Sequence, residues 1–151
     1  MGNTYREYSI DSRAMGAEEL LKRYAAGERD FSGADLRYAK LSGAKLANIN
    51  LSGAVLEISG LNNITLSNAT LRGACLAGAN LIDADLSGAD LSEADLSAAI
   101  LMRANLTNVK LKDANLRWAS LVNATPADVD LIGAVLSRTI LPSGAPSHVQ
   151  T

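Results

Sequence analysis

Leucine recurs at every fifth position over most of this chain. Of the 23 positions counted in steps of five from Phe31 to Leu141, 21 are leucine, and the exceptions are Phe31 and Pro126. The position two residues before each centre is alanine in 16 of 22 cases. The other six are small or β-branched: Ile49, Ser59, Ile64, Val109, Val129 and Thr139. A helix repeats every 3.6 residues and a strand every two, so neither buries two positions in five. The pattern predicts a chain that turns a corner after each pentapeptide, with these two positions facing inward.

The residue two positions after each centre predicts the corners. Of these 22 positions, 15 are Gly, Asn or Asp, the residues that best tolerate the positive φ of tight turns. Most exceptions fall in one column when the chain is written in blocks of 20. That column reads Tyr38, Ile58, Gly78, Ala98, Trp118 and Arg138. We therefore expect a 20-residue coil with four sides, in which this one corner has a different turn type.

Segments such as GADLSEADLS, RANLTNVKLKDANL and GANLIDADLSGADL resemble the pentapeptide-repeat family, whose pattern is approximately A-(D/N)-L-x-x. The resemblance extends over about residues 30 to 141. It implies an all-β solenoid, a right-handed quadrilateral β-helix with the central leucines and preceding alanines inside. Between five and six coils at a strand spacing of about 4.8 Å give a rod of roughly 27 Å. Pro126 departs from the pattern, and because proline has no N–H, its coil is expected to lose a ladder bond or to be locally distorted.

The flanks of the repeat predict a cap and a tail. Residues 17–26, AEELLKRYAA, are expected to form a short N-terminal helix that ends at Gly27, with Leu20, Leu21 and Tyr24 on one side. We interpret this helix as a lid over the apolar end of the first coil, and a partner-binding helix is the alternative. The predicted organisation is an N-terminal flank at 1–28, the β-helix at 29–141 and a mobile C-terminal tail at 142–151.

Composition and charge exclude several classes of protein. Aromatic residues make up only 4% of the chain, so the core is expected to be aliphatic. A net charge of −2 argues against a general binder of nucleic acid or of anionic membranes. No run approaches 18 apolar residues, and the start, MGNTYREYSIDSR, lacks the apolar region of a signal peptide. We therefore expect a cytoplasmic protein that does not span a membrane.

No combination of residues in the sequence predicts catalysis. The single histidine, His148, lies in the tail and away from any expected pocket, so a serine or cysteine nucleophile has no base. The single cysteine, Cys75, precedes a centre and is expected to be a surface thiol. One cysteine and one histidine cannot form a metal site of those ligands, and no phosphate-binding or dinucleotide motif is present. We expect no enzymatic activity, no cofactor, no metal and no small-molecule substrate.

An acidic segment raises one alternative function. Residues 73–102 contain no Lys or Arg and five carboxylates, namely Asp83, Asp85, Asp90, Glu93 and Asp95. Some pentapeptide-repeat proteins resemble duplex DNA and act on topoisomerases such as DNA gyrase, so the resemblance makes DNA mimicry the second hypothesis. However, Asp85, Asp90 and Asp95 precede successive centres. They are therefore expected on three different sides of one coil, whereas a DNA mimic needs charge along the rod.

An outward apolar face supports the first hypothesis. On one side of the coil, three large residues follow centres, two precede centres, and an aromatic residue lies at the adjoining corner: Ile82, Met102 and Val122, then Ile100 and Ile140, then Trp118. Stacked at about 4.8 Å, these side chains would form a patch of a few hundred Å². We predict a non-enzymatic interaction module that binds an unidentified protein partner or itself through this face. The alternative is that the tail or the N-terminal segment covers the face.

Overall fold

The computed structural model describes residues 14–148. Within this range it has one helix, α1 (Ala17–Ala25), and no strand longer than a single bridging residue. Instead, 18 parallel bridges join residues that are 20 apart in sequence, from Asp30 with Asn50 to Ser120 with Ile140. Successive bridges lie five residues apart, so each 20-residue coil has four sides. We name these sides by their centres in the first coil: side A at Phe31, side B at Leu36, side C at Leu41 and side D at Leu46.

The pentapeptide around Leu51 shows how the backbone N–H groups of the repeat are paired. The N–H groups of Leu51 and Gly53 donate to the next coil at 2.7 and 2.9 Å, and that of Val55 donates to the preceding coil at 2.9 Å. The N–H of Ala54 donates to the carbonyl of Leu51 at 3.0 Å and closes a four-residue turn. The remaining N–H, one residue after the leucine, donates to the side chain of Asn50 at 3.0 Å. Every backbone donor of this pentapeptide therefore has an acceptor.

The inward positions form one continuous aliphatic core. Every centre from Phe31 to Leu121 is at most 4% exposed, and so are the alanines before them from Ala54 onward. This burial confirms the inward positions expected from the five-residue pattern. Two of the polar exceptions bond to the backbone, because the hydroxyl of Ser59 donates to the preceding centre at 2.6 Å and that of Thr139 donates to the coil below at 2.7 Å.

All four corners share one backbone conformation. The φ angle is between 51° and 82° at 21 of the 22 corner positions, and the exception is Asp128. A hydrogen bond closes every turn except the last, where the N–H of Thr139 donates to the hydroxyl of Ser147 instead. Together with that closing bond, a positive φ at this position is the mark of a type II turn. The expectation of a different turn type at one corner is therefore wrong. Tyr38, Ile58 and Trp118 have φ values of 61°, 51° and 64°, as glycine and asparagine have at the other corners.

Helix α1 covers the N-terminal end of the core, as a lid would. Leu20 is fully buried in the core, and the hydroxyl of Tyr24 donates to the carbonyl of Ala47 in the first coil at 2.7 Å. Ahead of the helix, Ala14 forms a parallel bridge with Asp35. This bridge supplies a partner for the first edge of side B, so the end of the solenoid is paired as well as covered.

The C-terminal end of α1 agrees with the prediction that Gly27 ends the helix. Gly27 has a φ of 101°, and its N–H donates to the carbonyl of Tyr24 at 3.0 Å. The predicted apolar cluster on the helix is smaller than expected, because Leu21 is 40% exposed and only Leu20 and Tyr24 pack on the core. The rest of the predicted N-terminal flank, residues 1–13, lies outside the described residues.

Residues 142–148 fold back on the last coil, which differs from the predicted mobile tail. The N–H of Leu141 donates to the carbonyl of Ala145 at 2.8 Å, and the N–H of Ser147 donates to the carbonyl of Thr139 at 2.7 Å. The physical reason is that the last coil has no further coil to pair with, so the returning chain supplies partners on side C. The final three residues of the predicted tail lie outside the described residues.

The coil that contains Pro126 is distorted. The peptide bond before this proline is cis, and its ring is exposed although it occupies a centre position. Among the described residues, no bridge joins Lys110 to the residue 20 positions later. The N–H of Asp113 donates to Gly133 at 3.0 Å, one residue beyond the usual partner. The distortion expected at this proline is therefore present, and Leu131 in the last coil is only half-buried.

Substitutions at the two inward positions test the core. Replacing Leu91 with Ala is expected to lower the free energy of unfolding by about 2 to 5 kcal/mol, because the narrow bore cannot collapse onto the cavity. Replacing Ala94 with Leu is expected to cost about 1 to 3 kcal/mol through overpacking. The control is Thr107→Leu at an exposed position, which should change the free energy by no more than about 0.5 kcal/mol. Urea denaturation followed by circular dichroism measures all three. An Ala94→Leu variant as stable as the control would contradict the inward assignment.

Candidate functional site

The predicted apolar residues that follow centres lie in one row on side C. The N–H of Asp83 donates to the carbonyl of Met102, and the N–H of Arg103 donates to the carbonyl of Val122, both at 2.9 Å. These bonds join neighbouring coils, so Ile82, Met102 and Val122 lie one above another. We call the outward apolar residues of this side the side-C strip: Ile82, Ile100, Met102, Val122 and Ile140.

The other two members of the side-C strip occupy the adjacent row. Parallel bridges link Ile100 to Ser120 and Ser120 to Ile140, so the two isoleucines lie two coils apart with a serine between them. Trp118 lies at the corner between sides B and C, which we call the BC corner. The structure therefore brings all six predicted site residues to one side of the solenoid and its edge.

The side-C strip is less exposed than its outward direction suggests. Ile100 is 37% exposed and Trp118 is 58% exposed. Ile82, Met102 and Val122 are half-buried. Each of these three has large neighbours in its own row, and at a spacing of about 4.8 Å adjacent side chains cover part of one another. The strip is therefore a packed apolar surface and not a set of isolated side chains.

The folded-back tail extends the side-C strip and does not cover most of it. The N–H of Asn123 donates to the carbonyl of Pro142 at 2.9 Å, so Pro142 continues the row of Val122. An antiparallel bridge joins Ile140 to Pro146 at the end of the rod. Residues 142–148 therefore cover only the last coil of this face. The alternative in which the N-terminal segment covers the face concerns residues 1–13, outside the described range.

A polar rim borders the strip at the corner between sides C and D. The guanidinium of Arg103 donates two hydrogen bonds to the carboxylate of Asp83, at 2.7 and 2.9 Å. These bonds hold the pKa of the Asp83 carboxyl below its ordinary value. An apolar centre beside a polar rim is the usual anatomy of a protein–protein interface.

The acidic residues before successive centres form turns. Asp85, Asp90 and Asp95 bridge to the next coil on sides D, A and B respectively, so they lie on three sides of one coil as expected. Each accepts a hydrogen bond from the N–H two residues later, at 2.9 to 3.0 Å. Asparagine takes the same role at four positions: Asn50, Asn80, Asn105 and Asn115. The Asp or Asn of the motif is therefore an Asx-turn acceptor, which the sequence analysis did not identify.

The ring of carboxylates is one coil deep. In the next coil, the residues that bridge to Asp85, Asp90 and Asp95 are two asparagines and Lys110. Partial burial acts to raise the pKa of the Asp90 carboxyl, but hydrogen bonds from Ser92 and the nearby positive charges outweigh it, so this pKa lies below its ordinary value. The acidic segment thus forms no continuous stripe along the rod.

The Asx turns give a prediction that depends on pH. Asp90→Ala is expected to lower the free energy of unfolding at pH 7 by about 1 kcal/mol, because one backbone N–H loses its acceptor. Asp90→Asn should remain within about 0.5 kcal/mol of the wild type, since asparagine makes the same turn. The folded pKa of Asp90 is lowered, so its carboxylate stabilises the fold above its unfolded pKa of about 3.9, and this contribution is lost as the pH falls further. Acid denaturation curves should therefore be shallower for Asp90→Asn, and equal curves for wild type and both variants would contradict the assignment.

His148 borders a cavity, contrary to the sequence-based expectation. The cavity has a volume of about 450 Å³ at the C-terminal end of the rod, and its other lining residues include Leu131, Ile132, Ala134 and Leu136. The returning tail, in which the N–H of Ser147 donates to the carbonyl of Thr139, brings the histidine there. The lining contains no nucleophile or carboxylate beside the imidazole. Within residues 14–148, no group of three or more potential metal ligands comes together.

Cys75 is half-buried and less exposed than expected of a surface thiol. Its thiol donates to a carboxylate oxygen of Glu57 at 3.3 Å. Burial raises the pKa of the Cys75 thiol above its ordinary value. A thiol with a raised pKa carries little thiolate at neutral pH, so this cysteine is not an activated nucleophile.

A coil of four sides, stacked parallel ladders and an aliphatic bore define a β-helical solenoid. The family model described as pentapeptide repeats matches the chain in eight copies, at residues 30–57, 64–101, 79–117 and 99–138. The chain therefore belongs to the pentapeptide-repeat family. Membership implies a right-handed quadrilateral β-helix, and the 20-residue spacing of the bridges agrees with four sides per coil.

Solved structures of the same family resemble this chain. A pentapeptide repeat protein from the cyanobacterium Cyanothece 51142 is 34% identical, with 72% of this chain and 64% of that chain covered and a TM-score of 0.57. One from the Arabidopsis thaliana thylakoid lumen is 37% identical, with 69% and 66% covered and a TM-score of 0.50. One from Nostoc PCC 7120 is 33% identical, with 83% and 98% covered and a TM-score of 0.51. The chain spans just under two thirds of the first two proteins.

A search of curated proteins found no match to the chain. In the part of the chain that the structure describes, no helix is long and apolar enough to cross a membrane.

Proposed function

We propose that this protein is a non-enzymatic interaction module that binds a protein partner, or a second copy of itself, through the side-C strip. One observation carries the proposal. Large aliphatic side chains line up outside a core that is already filled by the leucines and alanines of the repeat. Side chains that the fold does not need, but that form one apolar surface, are typical of an interaction site.

A comparison between sides supports the proposal. The row that follows the centres on side C contains Ile82, Met102 and Val122, whereas the corresponding row on side D contains only small or polar residues. The side-D row is Ala47, Ser67, Ser87, Thr107 and Ala127. Both rows occupy the same position of the repeat, directly after a centre. The difference therefore lies in what each side presents to its surroundings.

The non-catalytic part of the proposal is supported by the chemistry of the described residues. The cavity beside His148 is otherwise aliphatic, and the Cys75 thiol has a raised pKa. The aspartates of the acidic coil serve as turn acceptors. We propose a cytoplasmic protein without cofactor, metal or small-molecule substrate, and with no nucleic-acid or membrane partner, in line with its net charge of −2.

DNA mimicry of the kind that modulates a topoisomerase such as DNA gyrase remains the second hypothesis, and it has less support. A mimic needs carboxylates spaced along the rod, as phosphates are along a duplex. Here the carboxylates form a ring one coil deep, and Lys110 and Asn105 follow in the same rows. Asp83 is also neutralised by Arg103. The charge distribution therefore favours binding through the apolar strip.

The double substitution Met102→Ser with Val122→Ser tests the proposed function. Because both side chains are half-buried, the free energy of unfolding is expected to fall by only about 1 kcal/mol. Binding of a partner, or self-association, is expected to weaken about tenfold or more. Sedimentation velocity of the purified chain measures self-association, and quantitative affinity capture from a lysate with wild type and variant side by side measures partner binding.

The matched control is Ile132→Ser with Val135→Ser. These two residues are also exposed aliphatics, at 87% and 37%, but they lie on sides A and B. The control should leave binding unchanged. The proposal is wrong if the side-C variant binds as the wild type does, because the strip then has no role in binding. It is also wrong if this variant loses about 4 kcal/mol or more of its free energy of unfolding, as core truncations do, because the strip then serves to stabilise the fold.

A further inference from the structure

The BC corner carries large side chains in a backbone conformation that disfavours them. Tyr38, Ile58 and Trp118 are 65%, 62% and 58% exposed. All three have positive φ, which is uncommon for any residue with a Cβ and an outlier for a β-branched or bulky one. Their exposed area contributes little burial to offset that cost. A side chain that is strained and exposed at the same time points to a role outside the fold.

The order of residues along the BC corner is symmetric in size. Read from the first coil to the sixth, the corner is Tyr38, Ile58, Gly78, Ala98, Trp118 and Arg138. Two large residues therefore precede two small ones, and two large residues follow. A surface hollow of about 260 Å³ lies beside Gly78 and Ala98, and Ile58 forms one of its edges. The midpoint of this symmetric order lies between the third and fourth coils.

One pair of opposite charges beside the corner is placed symmetrically about the same midpoint. Glu57 lies on side B in the second coil, and Arg117 occupies the same row in the fifth coil. The carboxylate of Glu57 accepts a hydrogen bond from the Cys75 thiol. Among residues 14–148, neither Glu57 nor Arg117 takes part in an ion pair. Both charges are therefore free to pair with a charge outside the chain.

We propose that two copies of this chain associate along their BC corners, antiparallel, about a two-fold axis at that midpoint. The axis brings Glu57 opposite the partner's Arg117 and Ile58 opposite the partner's Trp118. Because the interface is isologous, each of these contacts occurs twice. Gly78 and Ala98 lie at the axis, where small side chains leave the centre of the interface unobstructed.

The residues at the two ends of the BC corner, Tyr38 and Arg138, also face each other across the proposed axis. Within one chain, the guanidinium of Arg138 stacks on Trp118 at 4.5 Å from the ring centroid. In the antiparallel pair, Tyr38 faces the partner's Arg138, which places an aromatic ring within reach of a cation at each end. Complementarity in charge and in aromatic–cation contacts about one point is what a two-fold interface requires, and an unrelated partner would not require it.

This inference goes beyond the proposed function because it concerns another surface. The side-C strip lies on the side of the coil that follows the BC corner. Contact through the corner and the adjacent part of side B leaves side C of each copy accessible. The dimer would therefore present two side-C strips.

Charge reversal provides the decisive test. The full chain is examined by sedimentation equilibrium over a range of concentrations at low and moderate salt. Glu57→Arg and Arg117→Glu should each weaken dimerisation by about tenfold or more, because each variant places like charges opposite one another. The double variant should recover dimerisation to within about threefold of the wild type, since the pairs are restored with their signs exchanged.

A second pair of variants distinguishes a loss of dimerisation from a loss of folding. Ile58→Asn and Trp118→Asn place a residue that tolerates positive φ at the strained corner. The melting temperature should stay the same or rise, while dimerisation is lost. Asp113→Asn, at the same turn position on another corner, is the control and should change neither property.

Three outcomes would overturn the dimer. A wild-type chain that is monomeric at all concentrations has no such interface. A double charge reversal that fails to restore dimerisation shows that Glu57 and Arg117 do not meet across a two-fold axis. Dimerisation that is lost in Met102→Ser with Val122→Ser, but not in the corner variants, assigns self-association to side C and leaves the proposed function standing without the corner.

Discussion

The hydrogen bonds between successive coils are the constraint on which the rest of this structure depends. Each coil must offer its N–H and C=O groups at the same height as the coil before it, and it does so only if every side has five residues. A centre such as Leu91 and a corner such as Glu93 both donate to the next coil, at 2.8 and 2.9 Å. Insertion of one residue would shift every later bond, and the chain from Phe31 to Leu141 contains no insertion.

That constraint explains both the motif and the freedom of the surface. The fold requires a large and a small inward residue, a positive φ at the corner and an Asx acceptor before many centres. It places no such demand on the residue after a centre, which faces outward. Side D uses small or polar residues there, whereas side C uses Ile82, Met102 and Val122. The apolar strip and the strained BC corner are therefore choices of sequence that the solenoid does not impose, and for that reason they carry the functional proposals.

The five-residue period and its 20-residue columns were enough to predict the four-sided coil and its inward residues, because burial and backbone pairing repeat in nearly every coil. The helix signals in residues 17–26 predicted the N-terminal lid. Two features could not be predicted in the same way. The turn type at the BC corner was inferred from residue preference, but the ladder holds Ile58 and Trp118 at positive φ despite that preference. The fold-back of residues 142–148 follows from the unpaired edge of the last coil. The amino-acid composition of the tail gives no indication that such an edge is present.

The candidate site was predictable in place but not in detail. Counting in blocks of 20 put Ile100 and Trp118 on one side and its edge, since the coil repeats exactly that number of residues. Exposure depends on the neighbours in each row, so the half-burial of Met102 needed the structure. The position of His148 beside a cavity depended on the fold-back of the tail, which the sequence pattern did not predict.

The residues that hold the coils together are distinct from the residues that face outward, and amide hydrogen exchange measures that distinction directly. We compare exchange at single-residue resolution in the wild type and in the chain with serine at positions 102 and 122. The account predicts that the amides of Leu101 and Arg103, which donate to the next coil, exchange only through global unfolding in both proteins. Rapid local exchange at these two amides in the variant alone would contradict the account, because it would show that the side-C strip holds the ladder in place.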